Sequence, residues 1–350
     1  MILPISISAR RALTAVALAF SAMTSCDVRA DDRILLRQDP FSDPIPTFGN
    51  VLDYTGRTIR FQTQAGSREE PADLVVRVET TYPDTFKRGQ TQFDAGNYAE
   101  ARAEWEQAVK QESRVWVQRE IRSWLIRSDW RRGDWSSAGR QFLEIVQSDP
   151  STPFWSVAPL LWSPVSLRES DRSAAREWIR SDVPVSKLLG ASFLLTDATL
   201  GESAARTLEG LLTDTSPHVS ELARAQLWRR RTAMSLTDEE IARWRIHLKS
   251  LPASLHSGPK FLLGKALLSR SEFDLAAAEF LWVSLIASEH EPTAARATLE
   301  AAEALERAGH REESLRMLQE TMDRFSWSLA AKDAKARLQE LRAANKKTAP

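Results

Sequence analysis

A thirteen-residue pattern recurs along this 350-residue chain and limits what the chain can fold into. Each copy has a turn residue, an aromatic residue two positions later, a small residue three after that, and a bulky residue four further on. The three clearest copies are GNYAEARAEWEQA (96–108), GDWSSAGRQFLEI (133–145) and SEFDLAAAEFLWV (271–283), and a fourth, GHREESLRMLQET (309–321), lacks the aromatic residue. Because residues four apart share one face of an α-helix, each copy predicts a helix that packs closely on a neighbour.

The spacing of the copies predicts a repeat. Ala101 and Ala138 are 37 residues apart, and Ala276 and Ser314 are 38 apart. The intervening stretch has weaker matches at Ala175, Ala205 and Ala242. A helical pattern with this period is typical of hairpins that stack on one another, because a single hairpin cannot bury its apolar face alone.

These residues resemble the tetratricopeptide repeat, a helix-turn-helix unit of about 34 residues with Leu-Gly in its first helix and Ala-x-x-x-Phe in its second. The best match is FLLGKALLSRSEFDLAAAEFLWV, in which Leu263 and Gly264 precede Ala276 and Phe280. The resemblance covers 82–327 and implies an all-α, right-handed solenoid of about seven units, with irregular units in the middle. The positions expected to pack between its helices are Ala101, Trp105, Ala138, Phe142, Gly264, Ala276 and Phe280.

The first thirty residues (1–30) predict a signal peptide and therefore export to the periplasm or cell envelope. A basic pair precedes the apolar run ALTAVALAFSAM, and the small residues Val28 and Ala30 offer a cleavage site. A second interpretation starts from Cys26, the only cysteine, because MTSC resembles a bacterial lipoprotein box and would make Cys26 a lipid attachment site. No later segment has about 18 uninterrupted apolar residues, so no membrane span is expected after the signal is removed.

The remaining boundaries follow from changes in periodicity. Residues 31–47 are polar and proline-rich, which predicts a linker. Apolar and polar residues then alternate through 48–81, with Ile59 and Phe61 on one face, which predicts a small three-stranded antiparallel β-meander that caps the first helix. At the other end, 328–350 predicts a charged capping helix and tail.

Composition and motifs argue against several functional classes. The 47 basic and 47 acidic residues are interspersed, so the chain offers no single-sign field for nucleic acid. The five histidines are scattered without the spacing of a metal site, and no nucleophile motif or complete phosphate loop is present. The sequence therefore predicts no enzyme activity, no catalytic residue, no metal site and no cofactor.

One stretch, WLIRSDWRRGDW (124–135), is a candidate binding surface. If it faces the concave groove of a solenoid, Arg127, Trp130 and Arg131 combine charged donors with rigid apolar area suited to an acidic or extended peptide. In the alternative interpretation, Trp124 and Trp135 belong to the core, and the neighbouring arginines only extend over them.

The function predicted from the sequence is a non-catalytic protein-binding scaffold of the bacterial cell envelope, which takes a partner peptide or protein in the groove. Two alternatives stay open at this stage. One is a lipid-anchored envelope assembly factor, for which Cys26 would be decisive. The other is an enzyme whose site lies in the irregular middle of the chain.

Overall fold

The computed structural model describes residues 32–348, except for residues 40, 233 and 235, and for 343–348 it describes the backbone alone. The predicted signal peptide and Cys26 therefore lie outside the described residues. Within the described part, the fold is mostly helical with a small antiparallel sheet at its N-terminal end. This confirms the predicted combination of a helical protein with a short β segment.

The sheet has five strands, so the prediction of three strands is wrong. The strands are β1 (Asp32–Leu36), β2 (Ile45–Tyr54), β3 (Thr58–Thr63), β4 (Gly66–Pro71) and β5 (Val75–Glu79). They are antiparallel, in the order β4-β3-β2-β1-β5, and a short 3₁₀ helix (Ala72–Leu74) returns the chain from β4 to β5.

The segment predicted as a linker, 31–47, instead contributes strand β1 and the start of β2. Strand β1 buries Ile34 and Leu36 on alternate positions. Its buried Asp32 accepts hydrogen bonds from the Val51 amide and the Thr80 hydroxyl, so the carboxylate has partners despite its burial. The polar and proline-rich composition of the segment is typical of a linker and did not indicate this five-residue strand.

Fourteen α-helices follow in the described part of the chain. They are α1 (Asp84–Asp94), α2 (Tyr98–Gln111), α3 (Val115–Arg131), α4 (Trp135–Ser148), α5 (Glu169–Trp178), α6 (Pro184–Leu194), α7 (Gly201–Gly210), α8 (Pro217–Arg231), α9 (Asp238–Ser250), α10 (Ser257–Ser269), α11 (Phe273–Leu285), α12 (Glu291–Arg307), α13 (Arg311–Arg324) and α14 (Leu329–Thr348). Consecutive helices of the pairs α1–α2, α3–α4, α10–α11 and α12–α13 pack together as hairpins.

The turn residue of the recurring pattern has the same backbone conformation in all four hairpins. The φ angles are 82° at Gly96, 65° at Gly133, 62° at Ser271 and 89° at Gly309. Residues with a side chain disfavour this left-handed region, whereas glycine enters it without steric cost. The pattern therefore begins with glycine in three copies because the hairpin turn requires positive φ.

The exception, Ser271, gives a stability prediction. We expect Ser271→Gly to raise the free energy of unfolding by about 0.5 kcal/mol, because relief of backbone strain exceeds the extra entropy of the unfolded chain. The matched change Gly309→Ala should lower it by about 1 kcal/mol, because no atom lies within 4 Å of the added Cβ and only φ is unfavourable. Urea denaturation measures both values, and a loss of stability in Ser271→Gly would contradict the strain argument.

The seven repeat positions expected to pack between helices are all buried. Gly264 shows the reason for a small residue, because an added Cβ would lie 2.6 Å from the ring of Phe280. One weaker match from the sequence is wrong: Ala242 is exposed, as is Ile246 four residues later. Helix α9 instead buries its other face, including Trp244.

Between α4 and α5 the chain is not α-helical, and this irregular segment lies in the core. A 3₁₀ helix (Pro153–Val157) leads into a stretch whose residues 157–162 are all buried. The Leu161 amide donates to the Ser192 hydroxyl at 2.9 Å, and the Gln226 side-chain amide donates to the Leu161 carbonyl at 3.2 Å. Helices α6 and α8 thus supply the partners that a buried backbone needs.

The same segment brings distant helices together. The ring of Trp162 fills the space beside Gly258 on α10, where an added Cβ would lie 1.9 Å from the indole. At the start of α12, His290 packs its ring on Trp130 of α3, with centroids 4.7 Å apart. Helix α3 is therefore joined to residues about 160 positions later in the chain.

Candidate functional site

A cleft of about 510 Å³ lies where α3, the irregular segment, α12 and α14 meet. We call it the arginine cleft. Its basic and aromatic lining residues are Arg131, Arg132, Arg168, Arg296, Trp130, Trp135 and Trp327. Apolar residues such as Val165, Pro292 and Leu329 complete the walls, and Asp333 is the only acidic lining residue among the described ones.

Arg131 joins the two sides of the cleft. Its Nε and Nη2 donate to the two carboxylate oxygens of Glu291 at 2.9 and 3.3 Å, and both side chains are mostly buried. The guanidinium also lies over the Phe93 ring, 4.0 Å from its centroid, and 5.5 Å from the ring of Trp327. A bidentate pair of this kind fixes geometry as well as charge, so Arg131 is chiefly a structural clamp.

Trp130 lines the cleft but is not an exposed anchor, because only 2% of it is accessible. This corrects the expectation that Trp130 presents its indole on an open groove. Its Nε1 is buried without a hydrogen-bond partner in the described structure, and so is Nε1 of Trp327. Indole nitrogen is only a donor, so each of these two groups lacks an acceptor in the described structure.

The third predicted groove residue, Arg127, is not part of the arginine cleft. It lies one turn earlier on α3, with its guanidinium 5.0 Å from the ring centroid of Trp124. Burial lowers the pKa of Arg127, although Glu291 and Glu289 oppose the shift. The structure thus brings Trp130 and Arg131 together in one cleft and leaves Arg127 outside it.

Arg168 is the cleft arginine with the weakest internal pairing. Its Nη2 caps α3 by donating to the Arg132 carbonyl at 2.6 Å, and its closest paired carboxylate oxygen, on Asp134, is 4.0 Å away. Half of its side chain is exposed. Arg296, by contrast, is paired with Glu300 and Asp333 at 2.9 and 3.0 Å. A carboxylate entering the cleft would therefore find its most available cation at Arg168.

His290 is a buried histidine that packs against Trp130, one of the cleft residues. It is the N-cap of α12, and its Nδ1 accepts a hydrogen bond from the Thr293 amide. Burial lowers the pKa of His290 to about 4, although backbone groups including those of Ala158 and Leu160 oppose the shift. A protonated ring here would place a positive charge in the core and at the positive end of a helix dipole.

This arrangement predicts acid sensitivity. Between its unfolded pKa of 6.5 and the folded value of about 4, only the unfolded chain binds the His290 proton, so stability falls as pH falls through that range. The loss attributable to His290 should reach about 3 kcal/mol near pH 4. Denaturant titrations at several pH values measure this change in the free energy of unfolding.

The comparison uses His290→Asn, which keeps a neutral capping oxygen but does not titrate. Burial raises the pKa of Asp129 to about 6, so this residue also titrates in the same range. It is present in both proteins, so its contribution cancels in the difference between their stabilities. Equal pH dependence in the two proteins would show that folding does not lower the pKa of His290.

Sequence reasoning missed Arg168, Arg296 and Trp327 as cleft residues. They lie on the irregular segment, on α12 and just before α14, so no local spacing connects them to Trp130. The only signal was the proline-rich stretch after Pro153, which marked a departure from helix without showing where the chain goes. Their meeting depends on the contact between α3 and α12.

No cluster of three or more His, Cys, Asp or Glu side chains in the described part of the chain has the arrangement of a metal site. None of the helices in that part of the chain is both long and apolar enough to cross a membrane.

No protein-family model matches the chain, and no curated protein matches it.

Proposed function

We propose that the chain is a non-catalytic protein-binding scaffold, which takes an acidic segment of a partner protein in the arginine cleft. The single observation that carries this proposal is the charge of the cleft: four arginines line it against one acidic residue among the described ones, and Arg168 is only weakly paired. Donors that lack acceptors favour a ligand rich in carboxylate or carbonyl oxygens. The apolar walls favour a peptide over a small anion.

The helical hairpins support a tetratricopeptide-like solenoid as the scaffold. Four hairpins share a left-handed turn residue and a buried small residue, at Ala101, Ala138, Ala276 and Ser314. Stacked hairpins of this type commonly bind extended segments of other proteins on surfaces built from several units. In this proposal, the contact between α3 and α12 brings the second and the later units around one binding cleft.

The binding proposal predicts that binding requires negative charge on the peptide and positive charge in the arginine cleft. Peptides enriched from a random display library on the full chain should carry Glu or Asp, and replacing that residue with its amide should weaken binding about tenfold. Arg168→Gln should weaken binding of the acidic peptide to a similar degree, because the substitution removes the most available cation of the cleft. Isothermal titration measures these affinities.

Arg245→Gln is the matched control, because Arg245 is exposed on α9 and outside the cleft. It should leave affinity unchanged. Enriched peptides without acidic residues, or equal binding by Arg168→Gln and the unaltered chain, would rule out the arginine cleft as an acidic-peptide site.

We also propose export to the bacterial cell envelope, from the signal-like residues 1–30. Intact mass of the protein purified from its native cells should correspond to a chain that begins after Ala30. A mass with a diacylglyceryl group on Cys26 would instead favour the lipid-anchored assembly factor. A chain that retains Met1 would contradict export by either route.

A further inference from the structure

A second pocket, of about 460 Å³, lies between the sheet and helix α3 and is separate from the arginine cleft. Its aromatic lining residues are Tyr54, Tyr82, Trp116 and Phe154, and Glu120 of α3 also lines it. We call it the aromatic pocket. The proposed acidic-peptide function uses none of these residues.

The carboxylate of Glu120 is incompletely satisfied. Its Oε2 accepts a hydrogen bond from the Tyr82 hydroxyl at 2.8 Å, and that is its only side-chain hydrogen bond in the described structure. No basic group of the described residues forms an ion pair with it. Burial raises the pKa of Glu120, although Tyr82 and Arg127 oppose the shift. A partly buried carboxylate without an ion-pair partner is costly, so its Oε1 is an acceptor for an incoming donor.

The pocket offers a second acceptor and a second carboxylate beside Glu120. The Tyr54 hydroxyl makes no hydrogen bond within the described residues, and burial together with the charge of Glu120 raises its pKa, so it stays neutral. Arg77 of β5 lines the pocket, but its Nε lies 3.7 Å from Glu79, a carboxylate that also pairs with Arg33 at 3.1 Å. Of the two carboxylates that line the pocket, Glu79 and Glu120, only Glu120 therefore has no ion-pair partner among the described residues.

The aromatic walls are held in place by the fold. Tyr82 stacks on Phe86, with ring centroids 4.4 Å apart, and the Trp116 indole donates to the Val51 carbonyl at 3.2 Å. Aromatic faces attract cations, and the attraction increases when the cation is shielded from water. Fixed rings around a lone carboxylate thus favour a positively charged ligand.

We propose that the aromatic pocket binds a small molecule carrying a primary ammonium group, which donates to Glu120 and Tyr54 while its carbon chain packs on the aromatic rings. An ammonium fits better than a planar guanidinium, because Tyr82 already donates to Oε2 of Glu120 and a compact ammonium needs only the remaining oxygen. The volume suits a short amine rather than a folded partner.

The test compares n-butylamine with n-butanol, which has the same carbon chain but no charge, by titration calorimetry on the full chain. Butylamine should bind at least tenfold more tightly, and Glu120→Gln should remove that preference while circular dichroism stays unchanged. Equal binding of the two compounds to the unaltered chain overturns the proposal, and so does an undiminished preference in a folded Glu120→Gln variant.

Two further variants make the result interpretable. If Glu120→Gln does not fold, Tyr54→Phe removes only the second acceptor, and it should reduce butylamine affinity at least threefold without affecting butanol. An unchanged affinity would contradict the assigned geometry. Arg168→Gln, in the arginine cleft, should bind butylamine normally, so failure of the acidic-peptide function and failure of the ammonium site are distinguishable.

Discussion

Residues 158–162 run through the interior outside any helix or strand, and the arrangement of the surrounding helices depends on them. Backbone amides and carbonyls buried outside regular structure need other partners. Ser192 and Gln226, both fully buried, supply partners for Leu161, and the Arg229 guanidinium in turn donates to the side chain of Gln226 at 2.8 Å. Burial lowers the pKa of Arg229 to about 10, which still leaves it charged at neutral pH. The positions of α6 and α8 are therefore fixed by polar contacts as well as apolar packing.

The arginine cleft follows from this constraint. With α10 packed around Trp162 and His290 beside the same segment, α12 starts close to the end of α3. Arg131 and Glu291 then form a largely buried pair, for which loss of either partner would leave an uncompensated charge. Only Arg168, at the edge of the irregular segment, keeps much of its charge available. In the proposed function, closure of the cleft and ligand binding thus use neighbouring arginines in different ways.

Local patterns predicted the parts of the structure that depend on nearby residues. The turn at Gly96 and the close packing at Gly264 both follow from short sequence motifs, because each involves contacts within one hairpin. Strand β1 was missed because it is stabilised by pairing with β2 and β5, and its own five residues do not indicate that pairing. The burial of Trp130 was missed for a similar reason, since His290 covers it from 160 positions away.

The same separation explains why the aromatic pocket had no sequence signal. Its carboxylate and the Trp116 ring both lie on α3, whereas the other rings come from β2, from just before α1 and from the 3₁₀ helix. No periodicity connects α3 to these other parts of the chain. Only the assembly of the sheet on α3, through contacts such as Arg119 with Asp53 at 2.6 Å, brings them together.

The link between α3 and α12 also sets the order of events during synthesis. At typical rates of about 5–20 residues per second, the ribosome needs roughly ten to thirty seconds to extend the chain from Trp130 to His290. Until then, Trp130 and the segment at 157–162 lack the surface that covers them, while the sheet and the first hairpin already have their partners. The N-terminal part can fold early, and the central apolar surface is the region that a chaperone would have to shield.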